Sequence, residues 1–137
     1  MQTTLGRKGD YSVRAVLNIT RNEGDSQKTR EIAAARDTPE RYVARILATP
    51  VAEGILRATA GPNGGYVLAK PPEDISLLEV VEAAEGPIAL DECVLNGGRC
   101  EWDDICPIHV PWARAQNAFR DQLAGTSFAD LRLASDE

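Results

Sequence analysis

Apolar residues recur at helical spacing along most of this chain and switch to short extended runs in one place only. In DYSVRAVLNITRN, Val13, Val16 and Leu17, with Ala15 and Ile19, repeat at three and four residues and predict a helix from about Tyr11 to Arg21. EGDS breaks it. Thr29 reads as the N-cap of a short alanine-rich helix, REIAAAR, whose packing positions Ile32, Ala33 and Ala35 are small enough for a close neighbour. DTPE is the next start signal, with Thr38 as N-cap and Pro39 at the first helical position, where its missing N–H costs nothing. Val43, Ile46 and Leu47 form the apolar stripe of this third helix. Arg41 and Arg45 are then left at i and i+4 on another face, with Tyr42 beside them. Pro50 should end or kink the helix, because it cannot donate to the preceding turn.

The period changes in ILRATAGPNGGYVLA, where two β-prone runs flank a Gly-Pro-Asn-Gly-Gly turn and predict a hairpin. A helix, two short helices and a hairpin in this order form a winged helix-turn-helix. In that motif the second helix of the pair enters the major groove and the hairpin lies over the backbone. Thr38, Arg41, Tyr42 and Arg45 are therefore candidate DNA contacts from the third helix, and Arg57 and Asn63 from the hairpin. Further on, PPEDISLLEVVEAAEGP carries a capping box of Ser76 and Glu79, a buried face of Leu77, Val80, Val81 and Ala84, and Gly86 as terminator. PWARAQNAFRDQLAG sets Trp112, Ala115, Phe119 and Leu123 along one stripe, a face for a second copy of the chain or for its own core. TSFADL adds a last short turn capped by Thr126 or Ser127.

The fold class expected is mainly α with a small β-hairpin: a winged helix-turn-helix followed by a long C-terminal dimerisation helix. The expected division is a DNA-binding unit over 1–70, a linking helix within 71–90, a ligand-bearing loop over 91–109, and a dimerisation helix with its tail over 110–137.

The net charge of −6 speaks against nucleic acid until it is located. Residues 1–70 carry eleven Lys or Arg against seven Asp or Glu, and residues 71–137 carry four against fourteen. A basic half can dock on phosphates while an acidic half faces away from them. No stretch approaches eighteen consecutive apolar residues, and the first twenty lack a hydrophobic leader with a cleavage site. The expected compartment is the cytoplasm, where thiols stay reduced or ligate metal.

All three cysteines and the single histidine fall within CVLNGGRCEWDDICPIH: Cys93, Cys100, Cys106 and His109. Six residues separate the first two cysteines and five the next two, whereas structural zinc favours pairs two to four residues apart. Iron–sulfur clusters are larger than one ion, take thiolates with histidine as a possible substitute, and suit such wide spacing. A zinc module and a set of free thiols are the competing readings. No histidine other than His109 could serve a nucleophile, so nothing points to an enzyme.

With these features in this order, GRKGDYSVRAVLNI, GPNGGYVLA, ISLLEVVEAAEG, the three-cysteine loop and TSFADL, the chain resembles the winged-helix iron–sulfur transcription regulators of the IscR/NsrR family over nearly its whole length. The resemblance implies a homodimer, double-stranded DNA with a palindromic operator, and a cluster that reports iron–sulfur supply, redox state or nitric oxide. It puts Cys93, Cys100 and Cys106 at the cluster-cysteine positions, with His109 as the fourth ligand of a 2Fe-2S cluster. The alternative fourth ligand is Asp10, reaching the partner chain's cluster, which would go with a 4Fe-4S one. A redox protein that carries a cluster without binding DNA is the reading from another class, and the basic half, the paired arginines and the wing oppose it.

Overall fold

The structure, a computed structural model, describes residues 4–88 and 106–135, so Cys93 and Cys100 lie outside the described residues. Helix α1 spans Arg7–Arg21, one turn longer at its start than the periodicity predicts. RKGD carries no apolar repeat to announce that turn. Its support comes from Asp10 near the positive end of the helix and from the Gly6 N–H donating to Glu85 Oε1. From Ser12 onward α1 buries Ala15, Val16 and Ile19.

The helix-turn-helix pair is α2 (Thr29–Ala35) and α3 (Glu40–Ala52). Both predicted caps shift. Thr29 is the first helical residue of α2, Lys28 holds the cap position, and Pro39 holds that of α3. Thr38 is buried inside the turn, where its N–H donates to Ala33 O at 3.0 Å and its hydroxyl to Arg36 O at 3.2 Å. Asp37 takes the left-handed conformation that reverses the chain there, at φ 49°. Pro50 does not end α3, which continues to Ala52. Gly54 ends it, at φ +78°: its N–H bonds Val51 O and the Ile55 N–H bonds Pro50 O, the paired bonds of a Schellman motif.

Strands β1 (Leu56–Thr59) and β2 (Gly65–Leu68) pair antiparallel, Leu56 opposite Leu68 and Thr59 opposite Gly65. The hairpin is fastened to the start of α2 by two backbone bonds, Gln27 N–H to Tyr66 O at 3.0 Å and Tyr66 N–H to Gln27 O at 2.8 Å. A short 3-10 turn, Pro72–Asp74, leads into α4 (Leu77–Glu85). Ser76 Oγ accepts the Glu79 N–H at 3.1 Å, but the Glu79 carboxylate bonds Lys70 Nζ at 2.8 Å, so only half of the predicted capping box forms. The reciprocal box stands at α6 (Phe128–Ser135), where Ser127 Oγ accepts the Asp130 N–H and the Asp130 carboxylate accepts the Ser127 N–H.

Helix α5 (His109–Ala124) has no buried residue, and α6 returns to the body of the fold. Phe128, fully buried, joins Val16, Ile19, Ile32, Val43, Leu47, Ile75 and Val80 in one core. The Phe128 N–H bonds Ile75 O at 2.9 Å and the Leu77 N–H bonds Thr126 O at 2.8 Å, which fixes the α6 entry beside that of α4.

The C-terminal helix thus completes the core of the N-terminal unit. Phe128→Ala should cost about 3–5 kcal/mol, the usual range for emptying a buried aromatic site. Urea unfolding followed by circular dichroism measures it, and a loss below about 1 kcal/mol would show that α6 is peripheral to the folded unit.

Candidate functional site

Four of the six residues singled out for DNA contact lie at the surface and a fifth is half-buried. Arg41 and Arg45 are exposed on α3, a turn apart, and Tyr42 between them is half-buried. The Arg41 guanidinium lies 5.1 Å from the centre of the Tyr42 ring, a cation–π contact that restrains a long side chain without neutralising it. Asn63 is exposed at the hairpin tip, as is Ala60 just before its first glycine. Arg57 is exposed on β1 and lines a cleft with Glu23, Asp25 and Lys70, so its charge has acidic neighbours. Thr38, at 7% exposure with its hydroxyl bonded to Arg36, supports the turn instead of facing outward.

The sequence reading missed the arginines beneath that turn. Arg14 donates to Asp10 Oδ1 at 2.9 Å and through Nη1 to Arg36 O at 3.5 Å. Arg36 is half-buried, and its Nε has no hydrogen-bond partner among the described residues. Burial first, and then the charges of Arg21 and Arg14, lower its pKa from the ordinary guanidinium value. The Asp10–Arg14 spacing of four was a visible signal. Arg36 gave none, because burial of a charged side chain after a short helix is not visible in local spacing.

Of the candidate cluster ligands, the structure describes Cys106, His109 and Asp10. Cys106 is a half-buried free thiol just before α5. His109 opens α5, and its N–H donates to Cys106 O at 3.2 Å, so the two residues share one turn of chain. Asp10 stands on α1 and is engaged by Arg14. Among the described residues no three potential ligands come together to hold a metal ion.

The predicted stripe of α5 divides in two. Trp112 and Leu123 are half-buried, whereas Ala115 and Phe119 face outward, Phe119 at 48% exposure. The inward positions recur at Trp112, Gln116, Arg120 and Leu123, so the face turned to the chain's own body is partly polar. Arg120 approaches Glu82 on α4 at 3.9 Å. Val110 and Phe119 are both exposed, nine residues apart and so on opposite flanks of the helix, with Ile108 just before the helix exposed as well. No helix among the described residues is long and apolar enough to cross a membrane.

A winged helix-turn-helix with exposed arginines on its second helix defines a DNA-binding regulator, and comparison with known proteins places it. Residues 5–133 match the Rrf2 family, described as iron-dependent transcriptional regulators. The chain is similar to the transcriptional regulator IscR of Escherichia coli, 28% identical over 128 residues that cover 93% of this chain and 78% of that one. Its fold is similar to that of CymR, the global cysteine regulator of B. subtilis, with a TM-score of 0.84 and 22% identity over 97% of this chain and 98% of that one. It is also similar to the fold of T. potens IscR, with a TM-score of 0.76 and 23% identity over 100% and 90% of the two chains. The chain belongs to the Rrf2 family of DNA-binding transcription regulators, a family of regulators and not of enzymes.

Replacing Arg41 or Arg45 by Ala should weaken duplex binding by about 1–3 kcal/mol where the side chain reads a base, with relaxed preference at that position. Where it touches phosphate, the loss should be uniform across sequences. Fluorescence anisotropy against a panel of duplexes distinguishes the two, and wild-type binding by both variants would remove α3 from the interface.

Proposed function

We propose that this regulator acts as a cytoplasmic homodimer on a palindromic operator and senses through an iron–sulfur cluster held by Cys93, Cys100, Cys106 and His109. The observation that carries the reading is the position of Cys106: a thiol one turn ahead of His109, at the foot of a helix with no buried residue. Three cysteines and one imidazole are a donor set that suits a 2Fe-2S cluster. Asp10, the alternative fourth ligand, would have to give up Arg14 to take that part.

A bound cluster would supply iron–thiolate bonds that oxidation, iron loss or nitric oxide can break. The chain's own residues turn the state of the loop into geometry. Glu85, at the end of α4, is bonded to the Gly6 N–H at the start of α1, which anchors the near end of the loop on the DNA-binding unit. The far end runs directly into α5. Phe119, exposed on α5, is the apolar contact on which a second copy packs, and two-fold pairing sets two α3 helices at the spacing of a palindrome. A change in the loop then alters the tilt of α5 and the separation of the recognition helices.

A thiol-based regulator without a cluster is the second reading, favoured by the likeness in fold to a global cysteine regulator. Anaerobic purification followed by absorption spectroscopy and iron, sulfide and zinc analysis decides between them. Visible charge-transfer bands with matching iron and sulfide support the cluster. A colourless protein with neither metal supports thiol sensing, and stoichiometric zinc supports a structural zinc module.

In a protein that carries the cluster, Cys93→Ala, Cys100→Ala and Cys106→Ala should each abolish or badly degrade the visible bands. His109→Ala should leave a labile cluster with shifted absorption, and Asp10→Ala should leave the spectrum unchanged. A changed spectrum in the Asp10 variant alone would transfer the fourth ligand to Asp10 and favour a 4Fe-4S cluster.

Phe119→Asp should dissociate the dimer, because an unpaired charge in an apolar interface is costly. As Phe119 is exposed in the single chain, the variant should still fold. Sedimentation of a folded variant as a dimer would exclude this face from the interface.

A further inference from the structure

Between the wing and the entry to α2 lies an open cleft of about 480 Å3, lined by Lys28, Thr29, Thr59, Tyr66 and the backbone of Gly64 and Gly65. The two Gln27–Tyr66 backbone bonds hold its walls together, so its width is built into the fold. Its glycine edge cannot be filled by a side chain: a Cβ on Gly65 would stand 2.7 Å from Gln27 O, and one on Gly64 would stand 2.0 Å from Thr59 O.

The charge of the cleft sets it apart. Other clefts among the described residues carry carboxylates: Glu23 and Asp25 in one, Asp10 in another, Glu53, Glu79 and Glu82 in a third. This one has none. Lys28 makes no ion pair among the described residues. One unneutralised ammonium, the hydroxyl-bearing side chains of Thr29, Thr59 and Tyr66, and bare backbone are the chemistry of a site for a single phosphate group.

We propose that this cleft seats one phosphodiester of the DNA backbone, with Lys28 supplying the charge and Thr29 and Thr59 donating to the phosphate oxygens. The proposal rests on the DNA binding of the family and is independent of how α3 reads bases. Because one wall is the wing and the other leads into the helix-turn-helix, a phosphate held there sets the wing and α3 in a common register on the duplex.

The test is anisotropy with mixed-sequence duplex DNA over a series of salt concentrations, using the full chain and the variants Lys28→Gln and Thr29→Val with Thr59→Val. Lys28→Gln should lower affinity and reduce the slope of log K against log salt by about 0.9, the release of one phosphate's counterion. The threonine pair should lower affinity with the slope unchanged, because no charge is lost. A wild-type slope in Lys28→Gln overturns the proposal. Inorganic phosphate titrated at constant ionic strength covers the other source of the same chemistry. A thermal shift that Lys28→Gln abolishes, with its DNA slope still that of wild type, would make this a free-anion site and overturn the assignment to DNA. A wild-type chain that binds no duplex at all would remove the regulator reading itself, whereas a failure confined to the Lys28 variant removes only the cleft.

Discussion

The burial of Phe128 is the constraint on which the rest of the architecture depends. Its side chain completes a core built by α1, α2, α3 and α4, so the chain must return to the DNA-binding unit after α5. The backbone bonds Phe128 to Ile75 and Leu77 to Thr126 then fix the start of α6 beside the start of α4. Gly86, which follows α4, and Gly125, which precedes α6, are thereby held on one body. Helix α5, with no buried residue, runs up to Gly125. Its inner side lies along α4, where Arg120 approaches Glu82 at 3.9 Å.

The basic half achieves a similar rigidity by different means. The turn between α2 and α3 is closed by Thr38 and Asp37, and the arginines Arg14 and Arg36 gather beneath it. The wing is clamped by Gln27 and Tyr66. A two-stranded hairpin is marginal alone in water, so these two bonds and the packing of Leu56 in the core are what let the wing serve as a fixed contact surface. The acidic residues lie mostly in the second half of the chain.

Element identity and order were legible because apolar periodicity is a local signal that burial amplifies. Val16, Ile19, Ile32, Val43 and Leu47 were read as core from spacing alone, and all five are buried. The failures share one physical cause, tertiary packing that local spacing does not announce. Thr38 reads locally as a cap, but the fold buries it in the turn. Glu79 sits at the capping-box position, yet Lys70, brought close by the hairpin, takes its carboxylate. Ala115 and Phe119 share a helical stripe with Trp112 and Leu123, and only packing against α4 could show that the body takes one side of the helix and leaves the other outward. At the candidate site the residue types were legible and the pairing was not: the bond between Glu85 and Gly6 joins positions 79 residues apart.

Magnitudes indicate which part of the proposed sensor does the switching. Moving a two-state equilibrium from one extreme to the other takes about 5.5 kcal/mol of differential free energy. The Glu85 carboxylate at the start of α1 is exposed, and such a contact contributes only about 0.3–1 kcal/mol. Doubled by two-fold symmetry, it still falls short. Burying a large apolar side chain is worth about 1.5–3 kcal/mol, and α5 offers an exposed Phe119 from each of two copies, about 3–6 kcal/mol together. On these terms the Glu85 bond would register the end of α4 against α1, and repacking of α5 against a second copy would supply the energy that a change at the cysteines must redirect.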